Sequence, residues 1–312
     1  MGQRSGSNTS VNTESGETMD FKLIWDGNVL LAETPVWDPG LDRLIWTDLY
    51  AGEVHETDLE QKTDKVWKAG AAIGSAIPTD DPAMLLVAVD DGIFLLNKED
   101  GSREPVADPE PGRPDFALSD SRIDAAGRIL TSTVSRLYGT SDYRDDMVGS
   151  FYMVDTDRSV HVIETGVNQY NCMTWNSACT QMFVVDSHYQ NLLVFDYSIG
   201  GGPAGGSRIA LSLQEYGVPD GISIDIEDNL YICHWAGRIT VWDKHLNLKE
   251  VYDFPVPQVC CGGFGGPDRK DFFVSTARYA YSPEQLENRY GAGGIFVGRN
   301  EIAGAELNFW KV

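Results

Sequence analysis

From Phe21 onward the chain is a procession of short apolar runs broken by turn clusters: "RLIWTDL", "AMLLVAV", "GIFLLN", "RILTSTV", "SFYMVD", "QMFVVDS", "NLYICHW", "RITVWDK", "DFFVSTA" and "GIFVGR". The runs are short, rich in Val, Ile, Phe, Tyr and Trp, and bounded by Gly, Asp or Asn, which is the pattern of β-strands joined by tight turns. No helical stripe of any length interrupts them. The pattern predicts an all-β chain.

The runs fall into a repeat. Each unit opens with a small or polar residue and an apolar run, then an aspartate turn such as "DPGLDR", "DAAGR" or "DIEDN", then a second and a third run. Marks at Glu33, Gly74, Ser119, Asn171, Asp220 and Cys261 are separated by about 41, 45, 52, 49 and 41 residues, the length of a four-stranded propeller blade. Six marks predict a single six-bladed β-propeller over residues 19–312, four antiparallel strands per blade. "FKLIW" is expected to close the ring as an outer strand beside the C-terminal "LNFWKV". Residues 1–18, nearly free of apolar side chains, are expected to be a disordered tail.

Composition narrows the function. Asp plus Glu number 47 against 24 Lys plus Arg, a formal net charge of −23. That surface repels nucleic acid and anionic lipid and favours cations near a cleft. No stretch approaches the length of a membrane span and no secretory signal is read at the N-terminus, so a cytoplasmic protein is expected, as monomer or homodimer. The five cysteines, Cys172, Cys179, Cys233, Cys260 and Cys261, form no CxxC pair and are expected to be reduced.

Three of the marks carry oxygen ligands. In a propeller the first strand of each repeat lines the central channel, so Glu33, Asn171 and Asp220 are expected to meet at its mouth. Two carboxylates and an amide oxygen suit a hard divalent cation. Each also has a plainer reading: Glu33 as an exposed loop acid, Asn171 as a turn residue, and Asp220 in "PDG" as a turn cap.

The blocks carrying these residues resemble the family that groups gluconolactonase, senescence marker protein and the luciferin-regenerating enzyme. The resemblance rests on "ETPVWDPGLDRLIWTDLYAGEVHETD", "YNCMTWN", "GVPDGISIDIEDNLYICHWAGRITVWD" and "CCGGFGGPDRKDFFVSTARYAYSPEQLENRYGAGGIF" and spans about Trp25 to Phe296. It implies that Glu33, Asn171 and Asp220 hold one catalytic divalent cation, of which Ca²⁺, Zn²⁺, Mn²⁺, Mg²⁺ and Fe²⁺ all fit the ligands. It further implies that Asp220 doubles as base or proton relay in opening a lactone or related ester. The family's sugar-reading Arg-x-Asn-Asp-Gly block is here "ALSDSR": Ala117 replaces the arginine and Ser119 the asparagine, and Asp120 is kept. Loss of the arginine fork points away from a sugar lactone. Arg113 takes its place only if a gap is introduced.

Ser119, Asp120, His188 and His234 are the candidate substrate contacts, the histidines having hydrogen-bonded structural roles as their alternative. The insertion "SRLYGTSDYRDDMVGS" reads as a lid over the mouth or as a solvated connection. No G-x-S-x-G elbow is present. A metal-dependent lyase, isomerase or cyclase, and a propeller whose cation is structural, remain open beside the hydrolase.

Overall fold

The computed structural model describes residues 19–287 and 289–312; the expected tail, 1–18, lies outside them. Six four-stranded antiparallel sheets account for the strands, arranged as the blades of a propeller. The innermost strands are Ala32–Asp38, Ile73–Pro78, Phe116–Ile123, Tyr170–Trp175, Pro219–Ile224 and Val259–Gly265. Each packs against the next and the last against the first, so the ring is closed. Among the described residues, helix is confined to a 3₁₀ turn at Gln214–Tyr216 and a single α-turn at Pro283–Leu286. None of these is long and apolar enough to cross a membrane.

Blade faces stack on one another, which is why strands such as Met84–Val89 are apolar on both sides while the rim strand Thr63–Lys68 is largely exposed. The repeated turn aspartates have a common local job. Asp38, Asp124 and Asp225 each accept backbone N–H bonds through Oδ1, from Gly40 and Leu41, from Ala126 and Arg128, and from Glu227 and Asn229. Asn176 does the same for Thr180 and Gln181. Much of the acidic composition is therefore turn chemistry.

The ring closes at the N-terminus as expected, but with a different partner. Lys22–Trp25 pairs antiparallel with Ile295–Arg299, not with "LNFWKV". The C-terminal segment instead crosses the end of the channel where the inner strands finish. Ala305 N donates to Ile224 O at 3.0 Å, Asn308 Nδ2 to Ile123 O at 3.3 Å, and Asp80 N to Trp310 O at 3.1 Å. Trp310 is buried among Ile77, Leu86 and Ile123. Its indole gains more from that apolar cleft than from a place on an edge strand.

Inner strands crowd at the axis. A Cβ on Gly74 would lie 2.3 Å from Ser119 O, and one on Gly221 would lie 2.6 Å from Cys261 Cα. Only glycine permits these approaches between neighbouring blades.

Candidate metal centre

Every inner strand bulges where the repeat marks fall. In the first, third, fourth, fifth and sixth blades the pairing skips two residues, for example between Pro219↔His234 and Ile222↔Ile232 and between Tyr170↔Asp186 and Met173↔Val184. In the sixth blade the skipped pair is Cys260–Cys261, so the residue equivalent to Asn171 and Asp220 is Cys260, one earlier than the marked Cys261, while Glu33 is the last paired residue before its own skipped pair, Thr34–Pro35. Both cysteines are buried free thiols. Thr34, beside Glu33, sits at φ 45°, a left-handed conformation that costs a β-branched residue about 1–3 kcal/mol and is maintained by its surroundings.

The bulges bring the predicted ligands together. One ligand atom from each of Glu33, Asp220 and Cys261 lies within 4.8 Å of the others, all three residues being buried. Asn171 Nδ2 donates to Asp220 Oδ1 and, at 3.3 Å, to Ser187 Oγ, and Trp235 Nε1 donates to Asp220 Oδ2. Rotating the Asn171 amide by half a turn would present its oxygen where the nitrogen now stands.

Asp120 lies close enough to act electrostatically on both Glu33 and Asp220. It is ion-paired through Oδ1 with Arg122, while its buried Oδ2 has no partner. Burial raises the Asp120 carboxyl, opposed by Arg122. Burial, reinforced by Asp220, raises Glu33 well above the usual range. Desolvation pushes Asp220 up to about 7 against the lowering effect of Trp235. The Cys261 thiol is also raised by burial and stays neutral. Three carboxylates against one guanidinium leave two negative charges when all are ionised, and one divalent cation cancels them. The orphaned Asp120 oxygen and the crowded acids are what such an ion would relieve, so the donor set fits it.

Of the candidate substrate residues, Asp120 joins this cluster and Ser119 is buried beside it. His188 is half-buried at the mouth, its Nε2 3.7 Å from Asp145 and its ring against Tyr138 and Tyr143 of the insertion. His234 takes its alternative reading. It is buried, with Nδ1 3.1 Å from Gly217 O and Nε2 2.9 Å from Thr240 Oγ1, and no ring nitrogen is left for a substrate. Arg113 does not replace the missing arginine, since it pairs with Glu110 and stacks on Phe116.

Arg122, Trp235 and Cys261 are the functional neighbours that the motifs did not single out. Arg122 carried the one available signal, a cation two residues after Asp120 on a strand lining the channel. It separates the acids from a cavity of about 410 Å³ at the strapped end, lined also by Met173, Ile222, Phe264 and Phe309.

Residues 31–278 match the family model described as the SMP-30/gluconolactonase/LRE-like region. A Bacillus subtilis protein named as a sugar lactone lactonase, YvrE, is 26% identical over 289 residues, covering 92% of this chain and 97% of that protein. The pentonolactonase XacC of Haloferax volcanii is 28% identical over 264 residues, 83% of this chain and 86% of its own. The crystal structure of a calcium-binding protein, regucalcin, from Agrobacterium tumefaciens superposes with a TM-score of 0.86 at 22% identity, covering 95% of this chain and 98% of that one, and shows the same fold.

Proposed function

We propose that this chain, which belongs to the SMP-30/gluconolactonase/LRE-like family, hydrolyses a lactone or related ester at the acid cluster, with a divalent cation held by Glu33, Asn171 and Asp220. The observation that carries the reading is the convergence of these three side chains, from three blades, on a buried site that carries two net negative charges when its acids are ionised. The relatives named as lactonases and the calcium-binding protein of the same fold support it.

When bound, the cation supplies Lewis acidity toward the substrate carbonyl. The chain's own groups do the rest. Trp235 Nε1 fixes the Asp220 carboxylate in one orientation. Asp220 takes a proton from water as the water oxygen forms its bond to the carbonyl carbon; the ring C–O bond then breaks and the proton passes to the departing alkoxide. The product is a hydroxy acid, and the strongly negative protein field favours its release. Arg122 opposes the burial that raises the Asp120 carboxyl beside the site.

The test is acid release from a lactone panel after chelation and after reloading with single divalent cations. Activity is expected only in the reloaded protein. Asp220→Asn, which keeps the shape but removes charge and base, is expected to lose at least about 100-fold in kcat and to bind the cation more weakly by calorimetry. Turnover that survives chelation, or a fully active Asp220→Asn, overturns the proposal.

A further inference from the structure

Incompletely buried aromatic rings wall the mouth of the channel. On one side Trp235 holds Asp220, Tyr279 stands edge-on to Trp235 with centroids 6.5 Å apart, and Tyr50 stacks on Tyr279 at 5.4 Å and 13°. These come from the fifth, sixth and first blades. From the third and fourth blades come Tyr138, Tyr143 and His188, with Tyr138 5.0 Å from Tyr143 and 6.0 Å from His188. In a ring of six, the junction of the sixth and first blades stands opposite that of the third and fourth. The two groups therefore face each other across the acid cluster, Glu33 acting electrostatically on Tyr50 and Asp220 on Tyr138.

None of the six side chains is fully buried, and Tyr50 is 47% exposed. Half-exposed rings clustered around a cleft offer contact area that folding has not used. The arginine fork suited to reading hydroxyls is absent, and His234 and Arg136 are engaged elsewhere. Ala117 presents a methyl group, both His234 nitrogens are bonded internally, and Arg136 donates to Pro114 O and Asp90 O, each at 2.8 Å. The net charge disfavours an anionic substrate.

We infer that the substrate is an uncharged lactone or ester carrying an aromatic ring, which lies between the Tyr50–Tyr279 stack and Tyr138 while its carbonyl reaches the acid cluster. This inference rests on the proposed hydrolysis for its reaction, but it is tested by binding as well. The probes are the benzo-fused lactam 3,4-dihydro-2-quinolinone, which resists hydrolysis, and its ring-saturated counterpart of nearly equal size. Their dissociation constants are measured on the full chain with Mn²⁺ by calorimetry. Hydrolysis of dihydrocoumarin, its saturated counterpart and glucono-1,5-lactone is measured alongside. The aryl lactam is expected to bind about 10-fold more tightly than the saturated one, as two stacking contacts allow. In Tyr279→Leu and in Tyr138→Leu, which keep apolar bulk at half-exposed positions, that ratio is expected to fall by at least about 3-fold. Thermal unfolding confirms that each variant is folded. Equal binding of the two lactams by the wild-type protein, a ratio unmoved in both variants, or a preference for the sugar lactone overturns the inference and leaves the hydrolytic proposal standing. A retained lactam ratio with no lactone hydrolysed rejects the reaction and upholds the aromatic site.

Discussion

Arg122 offers the sharpest test of the charge balance in the channel. In Arg122→Met the side chain keeps its length but loses the charge, and Asp120 is left buried with neither carboxylate oxygen compensated. Breaking a buried pair in this way costs about 3–5 kcal/mol if the remaining group stays ionised. Asp120 has an escape, because burial has already raised its pKa and removing Arg122 raises it further. Holding it neutral costs at most about 4 kcal/mol at pH 7, relative to an unfolded aspartate with a pKa of about 3.9, and at most about 1.5 kcal/mol at pH 5. The sign follows: a carboxyl with a raised folded pKa is penalised where the unfolded chain has lost its proton, so the defect shrinks as pH falls. Urea unfolding of the chelated protein is expected to show a loss of about 2–4 kcal/mol at pH 7 and under about 1.5 kcal/mol at pH 5. Adding Asp120→Asn removes the stranded charge and is expected to recover most of the loss. A defect that is equal at both pH values, or a double variant no more stable than Arg122→Met, refutes the view that Arg122 serves chiefly to balance buried acid.

The axial packing and the buried histidine make separate predictions. Gly74→Ala drives a methyl group against Ser119 O and is expected to cost about 1–3 kcal/mol in urea unfolding; Gly200→Ala, where a Cβ meets nothing within 4 Å, is its control and is expected to be neutral or slightly stabilising. Desolvation holds the folded His234 pKa down to about 4. The unfolded chain therefore takes up this proton first as pH falls, and the stability present above about pH 6.5 is lost toward pH 4. Between pH 7 and 4.5 the wild-type protein is expected to lose about 2.5 kcal/mol relative to His234→Gln; parallel stability profiles for the two would contradict it.

The alternation of apolar and polar residues, the aspartate turns and the spacing of the marks determine the blades, because a strand buried on two faces and a tight turn each demand particular residue types locally. The meeting of Glu33, Asn171 and Asp220 was legible for the same reason: residues at the start of the inner strands of equivalent blades must meet at one end of the axis. What lies between blades was not legible. Arg122 pairs with Asp120 along its own strand and Trp235 with Asp220 across one blade, but the approach of these acids to Glu33 and to Cys261, which belong to other blades, is written in no local pattern. The C-terminal strap across the far end of the channel, and the engagement of both His234 nitrogens, likewise depend on which segments the closed ring brings together. Local pattern sets each strand and turn, whereas the charge and the ring stacking at the centre are sums over blades distant in sequence, which exist only once the ring has closed.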